Sequence, residues 1–291
     1  MGAQDVARQA GAGRAGGEEP VTQDGSPGTG VSRRTGAPSS RWRTRRPLPL
    51  ALALCVAVVY PVTVLLFRMR YRHAERFPRT GPVLVVANHV SVLDPLACAR
   101  LVWDCGRVPH FLAKDAVFTG LAGRILRAAG QIPVARGRAD ARTSLAAAVA
   151  DLAAGNVVVI YPEGSVTRDP DWWPMEARTG VARLALATDA VVLPVAQWGP
   201  QRLHDYHTKQ LHPRLRTPAD YLVGEPVDLT DLRAQVRAGR PLTGELLREV
   251  TDRMMACVRD QLAELRGEPA PTTTAPHPRR TLPGDLPGSA A

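Results

Sequence analysis

The apolar run Val83–Ala87 most strongly constrains how this chain folds. It follows the chain breaker Gly81-Pro82, and a short, uninterrupted apolar run of this kind is typical of a strand buried on both faces. Polar residues begin at once after it, with a histidine at position 89 and Asp94 five positions later. In open α/β sheets, binding and catalytic groups gather at the carboxyl ends of such strands. The sequence therefore predicts a functional site directly after this strand.

His89 and Asp94 have the residue types that general-base catalysis needs. A neutral imidazole accepts a proton near neutral pH if its tautomer and orientation are fixed, and a carboxylate on the second ring nitrogen fixes both. The spacing also suits an ordinary helix start, in which Asp94 accepts bonds from first-turn amides and His89 only packs. On spacing alone this second interpretation is favoured, so the pair by itself does not define a site.

Three further blocks follow in order along the chain. They are Gly130-Gln131-Ile132-Pro133-Val134-Ala135-Arg136-Gly137, Tyr161-Pro162-Glu163-Gly164-Ser165 and Val191-Val192-Leu193-Pro194-Val195. With Asn88-His89-Val90-Ser91-Val92-Leu93-Asp94 as the first block, the set resembles the 1-acylglycerol-3-phosphate O-acyltransferase family, the lysophosphatidic acid acyltransferases among the glycerolipid acyltransferases. The resemblance covers residues 82–199 and rests on the order of all four blocks.

The resemblance implies an acyltransferase of phospholipid biosynthesis. Such an enzyme moves a fatty acyl group from acyl-CoA or acyl-carrier protein to the free hydroxyl of 1-acylglycerol-3-phosphate, a lysophospholipid acceptor, and yields phosphatidic acid. It needs no cofactor and no metal, and acyl transfer is direct. By the same resemblance the catalytic residues are His89 and Asp94, and the substrate-binding residues are Arg136, Glu163, Gly164, Ser165 and Arg168.

The predicted substrate-binding residues also have simpler explanations. Arg136 lies in a cluster with Arg138 and Arg142 that suits a solvated basic face, although the resemblance favours phosphate binding for Arg136. The Pro-Glu-Gly block could be an ordinary turn. The family commonly places arginine two residues after this glycine, whereas this chain has Val166 there, so the role of Arg168 follows less directly.

Residues 47–67 form an uncharged run of 21 residues with arginines on both sides. This length fits one bilayer crossing. Two prolines, Pro49 and Pro61, and arginines at both ends fit equally well a kinked helix that lies in one leaflet. A buried core helix is the weakest interpretation. The sequence thus predicts a membrane-associated protein, at the cytoplasmic face of a bacterial plasma membrane.

The charge balance supports an anionic partner. The net charge is +10, and all but two of the 37 basic residues are arginines. We expect anionic membrane lipids as the partner and no nucleic acid, because a nucleic-acid-binding module would rest on charge alone. The four cysteines form no Cys-x-x-Cys pair, which argues against a disulfide framework or a metal site.

The remaining pattern predicts a single α/β domain with a mixed β-sheet flanked by helices, behind one hydrophobic membrane-attachment helix. The predicted segments are a disordered tail (1–40), the membrane segment (41–77), the catalytic domain (78–267) and a second disordered tail (268–291).

The Trp172-Trp173 loop could line an acyl tunnel, touch the membrane or pack in the core. His204, His207 and His212 are predicted to be loop histidines rather than metal ligands.

Three alternatives remain open from the sequence. The first is an acyltransferase for another acceptor, since related enzymes acylate other lysolipids and glycolipids. A thioester or ester hydrolase would use the same histidine with a serine, but the chain has no Gly-x-Ser-x-Gly elbow, so Ser91 or Ser165 would have to serve. A non-enzymatic membrane or nucleic-acid-binding module is the least favoured.

Overall fold

A seven-stranded mixed sheet forms the centre of the computed structural model, which describes residues 49–134 and 138–276, with only the backbone of residues 138–142. In chain order the helices and strands are α1 (Leu50–Leu66), β1 (Phe67–Arg72), β2 (Val83–Ala87), α2 (Asp94–Asp104), β3 (Pro109–Lys114), α3 (Gly120–Ala128), β4 (Ile132–Val134), α4 (Arg138–Ala153), β5 (Val157–Ile160), α5 (Gly180–Ala187), β6 (Val191–Trp198), β7 (Thr217–Val223), α6 (Thr230–Arg237) and α7 (Gly244–Arg266).

The strand order is β1-β7-β6-β2-β5-β3-β4. Strands β6, β2, β5, β3 and β4 run parallel, β7 is antiparallel to β6, and β1 is parallel to β7. The predicted mixed sheet is therefore confirmed. Because β2 lies between β6 and β5, the loop after Ala87 opens at the middle of the sheet edge, where parallel sheets form their sites.

Helices cover both faces of the sheet, and β2 explains why. Leu84 and Val86 point into one core together with residues of α4, α5, α6 and α7, whereas Val83, Val85 and Ala87 point into the other together with residues of α2. All five side chains of β2 are fully buried. An uninterrupted apolar sequence is what a strand covered on both faces requires.

Strand β1 corrects the predicted domain boundary. Residues 41–77 are predicted from the sequence to form a membrane segment, but Phe67 to Arg72 form an edge strand whose residues pair with β7 from Thr217 onward. Phe67, Met69 and Tyr71 point toward the core, and Arg68, Arg70 and Arg72 alternate with them on the exposed side. This alternation is typical of a half-buried strand, and the preceding apolar run concealed it.

The uncharged run gives a 17-residue helix, α1, rather than an element of 21 residues. In the described part of the chain, no helix combines the length and apolar character that crossing a bilayer requires. Helix α1 packs against α2 and α3. Its outward side carries an apolar stripe of Leu50, Leu54, Val58, Val62 and Leu65, of which Leu50 is 76% exposed.

The C-terminal boundary also differs from the expected one. Residues 268–276, predicted to be disordered, run along the domain: the amide of Glu176 donates to the carbonyl of Ala275 at 2.9 Å, and Arg259 donates to the hydroxyl of Thr274. The rest of that tail, residues 1–48 and residues 135–137 lie outside the described residues. Helix α6 was not predicted, because its only fully buried side chain is Leu232.

Candidate active site

His89 and Asp94 meet at the edge of the sheet, where the turn after β2 leads into α2. The Nδ1 atom of His89 lies 2.8 Å from Oδ2 of Asp94. The same oxygen accepts the backbone amides of Val90 and Ser91, at 2.6 and 2.8 Å. One carboxylate oxygen therefore binds both the turn and the imidazole, a geometry that fits the helix-start interpretation and the catalytic one alike.

This arrangement sets the tautomer of His89. The Oδ2 atom already accepts two backbone N–H groups, so it acts as an acceptor toward the ring, and Nδ1 carries the proton. The Nε2 atom is left with its lone pair free to take a proton. Burial raises the pKa of Asp94 above its ordinary value, an effect that the imidazole and the two amides oppose. The pair therefore has the form of an oriented general base.

The third sequence block, Tyr161 to Ser165, folds around His89. The ring of Tyr161 stacks on the imidazole, Glu163 accepts the amide of His89 at 2.8 Å, and the amide of Thr167 donates to the carbonyl of His89 at 2.8 Å. Three contacts from residues 161–167 therefore fix the ring and both backbone groups of the histidine. Sequence spacing could not show this, because β5, which precedes the block, is the neighbour of β2 only in the folded sheet.

Glu163, for which the resemblance predicts substrate binding, has a fully buried side chain. Its two oxygens accept the amides of His89 and Met175, at 2.8 and 2.9 Å. Burial raises the pKa of Glu163 to about 8, and the two amides act in the opposite direction. The carboxyl group connects the histidine turn to the loop before α5, so it acts as a positioning group.

Asn88 is fixed from the other side by Gln197 of β6, a residue that sequence reasoning missed. The side chain of Asn88 donates to the carbonyl of Gln197 and accepts its amide, while Gln197 Nε2 donates to the carbonyl of Asn88 at 2.6 Å. Tyr221 donates to Gln197 Oε1 at 2.9 Å. All three residues are buried. A lone glutamine in the otherwise apolar strand VVLPVAQW was the available signal.

The remaining predicted binding residues are placed as follows. Gly164 is exposed at the tip of the third block with φ of 69°, Ser165 has a buried hydroxyl with no hydrogen-bond partner among the described residues, and Arg168 is exposed. Arg136 lies outside the described residues, and so do the side chains of Arg138 and Arg142. The structure thus brings together His89, Asp94, Glu163 and Gly164, while the arginine cluster is untested.

Arg178, which the sequence analysis passed over, lies against Gly164. A Cβ atom at position 164 would come within 2.8 Å of Arg178 Nε. The amide of Arg178 donates to the carbonyl of Pro162 at 2.9 Å, which holds the arginine over the turn. Its side chain is exposed. No spacing rule points to this arginine, because it enters the site only through the loop before α5.

The loop between β6 and β7 covers the other side of the site. The hydroxyl of Ser91 donates to the carbonyl of His204 at 3.0 Å, and Nε2 of His207 lies 3.1 Å from the carbonyl of Thr167. His207 also stacks on Trp172, with ring centroids 3.8 Å apart. Trp173 instead packs in the core beside Arg266. Of the alternatives for the paired indoles, core packing therefore applies to Trp173.

The site thus consists of an oriented histidine at the carboxyl end of a central strand of a mixed α/β sheet. Residues 68–198 match the family model described as Acyltransferase. The resemblance predicted from the four blocks is confirmed by this match and by the relatives below.

Curated relatives match about half of the chain. The chain is 29% identical over 145 residues to 1-acyl-sn-glycerol-3-phosphate acyltransferase alpha of Mus musculus, which covers 49% of this chain and 48% of the mouse protein. The corresponding human protein is 28% identical over 145 residues, with 49% of each chain covered. An uncharacterized protein of Mycobacterium leprae (strain TN) is 32% identical over 149 residues, 47% of this chain and 38% of that one. The matched region thus spans about half, or less, of these relatives.

A solved structure shares the fold. The 1-acyl-sn-glycerophosphate (LPA) acyltransferase PlsC from Thermotoga maritima superposes with a TM-score of 0.53 at 23% identity, over 76% of this chain and 81% of that one. The α/β architecture with helices on both faces of the sheet is therefore a fold that this chain has in common with that protein.

Proposed function

We propose that the chain transfers a fatty acyl group from acyl-CoA or acyl-carrier protein to the free hydroxyl of 1-acylglycerol-3-phosphate, giving phosphatidic acid. The observation that carries the proposal is the 2.8 Å contact between His89 Nδ1 and Asp94 Oδ2, which leaves Nε2 to act as a base. The names of the curated relatives support this acceptor, and the four sequence blocks support the family chemistry.

In the proposed reaction, Nε2 of His89 takes the proton of the acceptor hydroxyl as that oxygen attacks the thioester carbonyl. The carbon–sulfur bond then breaks, and the departing thiolate takes the proton from His89. Acyl transfer is direct, with no acyl-enzyme intermediate. General-base help of this kind contributes about 100-fold to 10,000-fold. Holding both substrates in line with the base contributes up to ~7 to 11 kcal/mol.

The second candidate, a hydrolase with a serine nucleophile, has less support. The hydroxyl of Ser91 belongs to a fully buried residue and donates to the carbonyl of His204. The hydroxyl of Ser165 is buried as well. Neither hydroxyl has a hydrogen bond to His89 within the described residues, and serine catalysis needs that contact.

We further propose that the protein binds the membrane surface through α1 lying in the plane of one leaflet, at the cytoplasmic face. The exposed stripe from Leu50 to Leu65 is a continuous apolar face along the helix. Faces of this kind mark interaction sites, and an in-plane helix buries such a stripe at the headgroup boundary. The acceptor and product of the proposed reaction are lipids, so this placement would bring His89 to its substrate.

One assay separates these functions. Full-length protein is incubated with acyl-CoA, with and without 1-acylglycerol-3-phosphate, and thioester loss and phosphatidic acid are measured. We expect both to depend on the acceptor and to be lost in His89→Ala. Thioester loss without acceptor would identify a hydrolase. The assay is repeated with unphosphorylated acceptors, and thioester loss with these alone would overturn the proposed substrate. A second repeat, with acylated carrier protein in place of acyl-CoA, shows which of the two is the donor.

A further inference from the structure

The side chain of Arg178 lies across Gly164, the exposed glycine of the third sequence block. Its Nε, Cδ and Cζ atoms are the three nearest neighbours of a Cβ atom built on Gly164, at 2.8, 3.2 and 3.5 Å. A side chain at position 164 would displace the arginine from this place, and the φ of 69° there also favours glycine. Because the amide of Arg178 also donates to the carbonyl of Pro162, both the backbone and the side chain of the arginine are held against this turn.

The turn that carries Arg178 is fixed to His89. Tyr161 stacks on the imidazole, Glu163 Oε1 accepts the amide of His89, and the amide of Thr167 donates to its carbonyl. Gly164 lies between these contacts in the chain and is exposed, as Arg178 is. A guanidinium on the open side of this turn is therefore within reach of a ligand whose reactive group contacts the imidazole.

We propose that Arg178 binds the phosphate of the acceptor, a role that the sequence analysis assigns first to Arg136 and less directly to Arg168; this inference rests on the proposed function. In 1-acylglycerol-3-phosphate the free hydroxyl and the phosphate sit on adjacent carbons, so the phosphate-binding cation must lie beside the base. A guanidinium binds two phosphate oxygens at once in a planar fork. Gly164 allows that fork to lie flat on the turn.

Arg168 has a different setting. Its amide donates to the sulfur of Met175 at 3.2 Å, at the start of the loop that continues through Asp169 and Trp172. Its side chain is exposed there, while the atoms nearest to Gly164 all belong to Arg178. Position 166, where the family commonly has arginine, is a buried valine in this chain.

The experiment compares Arg178→Gln and Arg178→Lys in the full-length protein on vesicles, with Arg183→Gln as a matched control. Arg183 is another exposed arginine, one turn into α5. Steady-state constants are measured for 1-acylglycerol-3-phosphate, for the same lipid without phosphate, and for acyl-CoA. We expect Arg178→Gln to raise KM for the phosphorylated acceptor by about 10-fold to 100-fold, the range for losing a hydrogen bond to a charged group.

The expected pattern is specific. In Arg178→Gln, the constants for the unphosphorylated acceptor and the KM for acyl-CoA should stay within about twofold of the wild-type values. Arg178→Lys should recover part of the loss with the phosphorylated acceptor. Arg183→Gln should match the wild type. An equal loss with both acceptors, or a loss confined to acyl-CoA, would overturn the assignment of Arg178 while leaving the acyltransferase proposal intact. A wild-type enzyme that fails to acylate the phosphorylated acceptor would overturn both.

Discussion

The ring of Tyr161 stacks on the imidazole of His89, with centroids 4.3 Å apart and 20° between the planes. The hydroxyl of Tyr161 is buried beside the thiol of Cys98 and has no oxygen or nitrogen partner within the described residues. Burial raises the pKa of this hydroxyl well above its ordinary value. The ring therefore contributes to the position of the base, whereas the hydroxyl contributes little.

Replacing Tyr161 separates these two contributions. We expect Tyr161→Phe to keep the wild-type kcat and to be more stable by roughly 1 kcal/mol, because it removes a buried polar group without a strong partner. Tyr161→Leu removes the stack, worth about 0.5 to 1.5 kcal/mol, and should lower kcat as the imidazole loses its fixed orientation. Steady-state kinetics and thermal unfolding test both expectations. Equal kcat for the two variants would contradict a positioning role.

The His89–Asp94 pair has a structural counterpart that provides a control. His110 Nδ1 lies 2.7 Å from Asp151 Oδ2, near the amino end of β3 and so at the opposite edge of the sheet from His89. We expect Asp94→Asn to lower kcat by about 100-fold or more, because a neutral amide does not stabilise the imidazolium that forms when His89 takes the proton. His110→Ala should lower the melting temperature and leave kcat unchanged. A comparable loss of kcat in both variants would point to a general folding defect.

The first block and the strands could be predicted from the sequence because each is a local pattern. The five apolar residues of β2 and the polar residues after it are contiguous, so both the strand and the position of His89 follow from periodicity. The contact between His89 and Asp94 needs only the turn that joins them. The resemblance then supplied the chemistry that spacing alone left open.

The supporting contacts could not be predicted in the same way. Gln197 reaches Asn88 across 109 positions of the chain, and Arg178 reaches Gly164 only through the loop before α5. A glutamate in this block suggests substrate binding, but the side chain of Glu163 is buried and binds two backbone amides instead. These outcomes depend on which strands become neighbours, and local pattern does not encode that.

The buried amide pair between Asn88 and Gln197 gives the third prediction. Gln197→Leu would leave the carbonyl of Asn88 and the hydroxyl of Tyr221 without partners, at about 1 to 3 kcal/mol for each group. We expect lower stability and a lower kcat, since the backbone of Asn88 directly precedes His89, the proposed base. Tyr221→Phe removes one bond only and should have a smaller effect on both. Urea unfolding and kinetics on the same preparations test this, and a wild-type kcat in Gln197→Leu would contradict it.

The raised pKa of Glu163 predicts a pH dependence of stability. Burial raises this pKa from 4.5 to about 8, so the folded protein holds the proton more tightly than the unfolded chain does. Ionisation therefore favours unfolding, and the contribution of Glu163 to stability should fall as pH rises from about 4.5 to about 8. Glu163→Gln does not titrate, so its free energy of unfolding should improve relative to wild type over this range. A constant difference between the two proteins from pH 5 to 8.5 would contradict the prediction.

The exposed stripe of α1 gives the last prediction. Val58 lies at the middle of the stripe and is 64% exposed, while Leu242 is an apolar residue 39% exposed in the loop before α7 and serves as the control. If α1 lies in the leaflet, each buried aliphatic side chain contributes about 1.5 to 3 kcal/mol, so Val58→Glu should weaken binding to anionic vesicles by about tenfold or more. Leu242→Glu should bind as the wild type does. Flotation with vesicles of increasing anionic lipid content measures this, with unfolding curves of both variants to show that the fold is kept. Equal binding by all three proteins would show that the membrane surface lies elsewhere on the molecule.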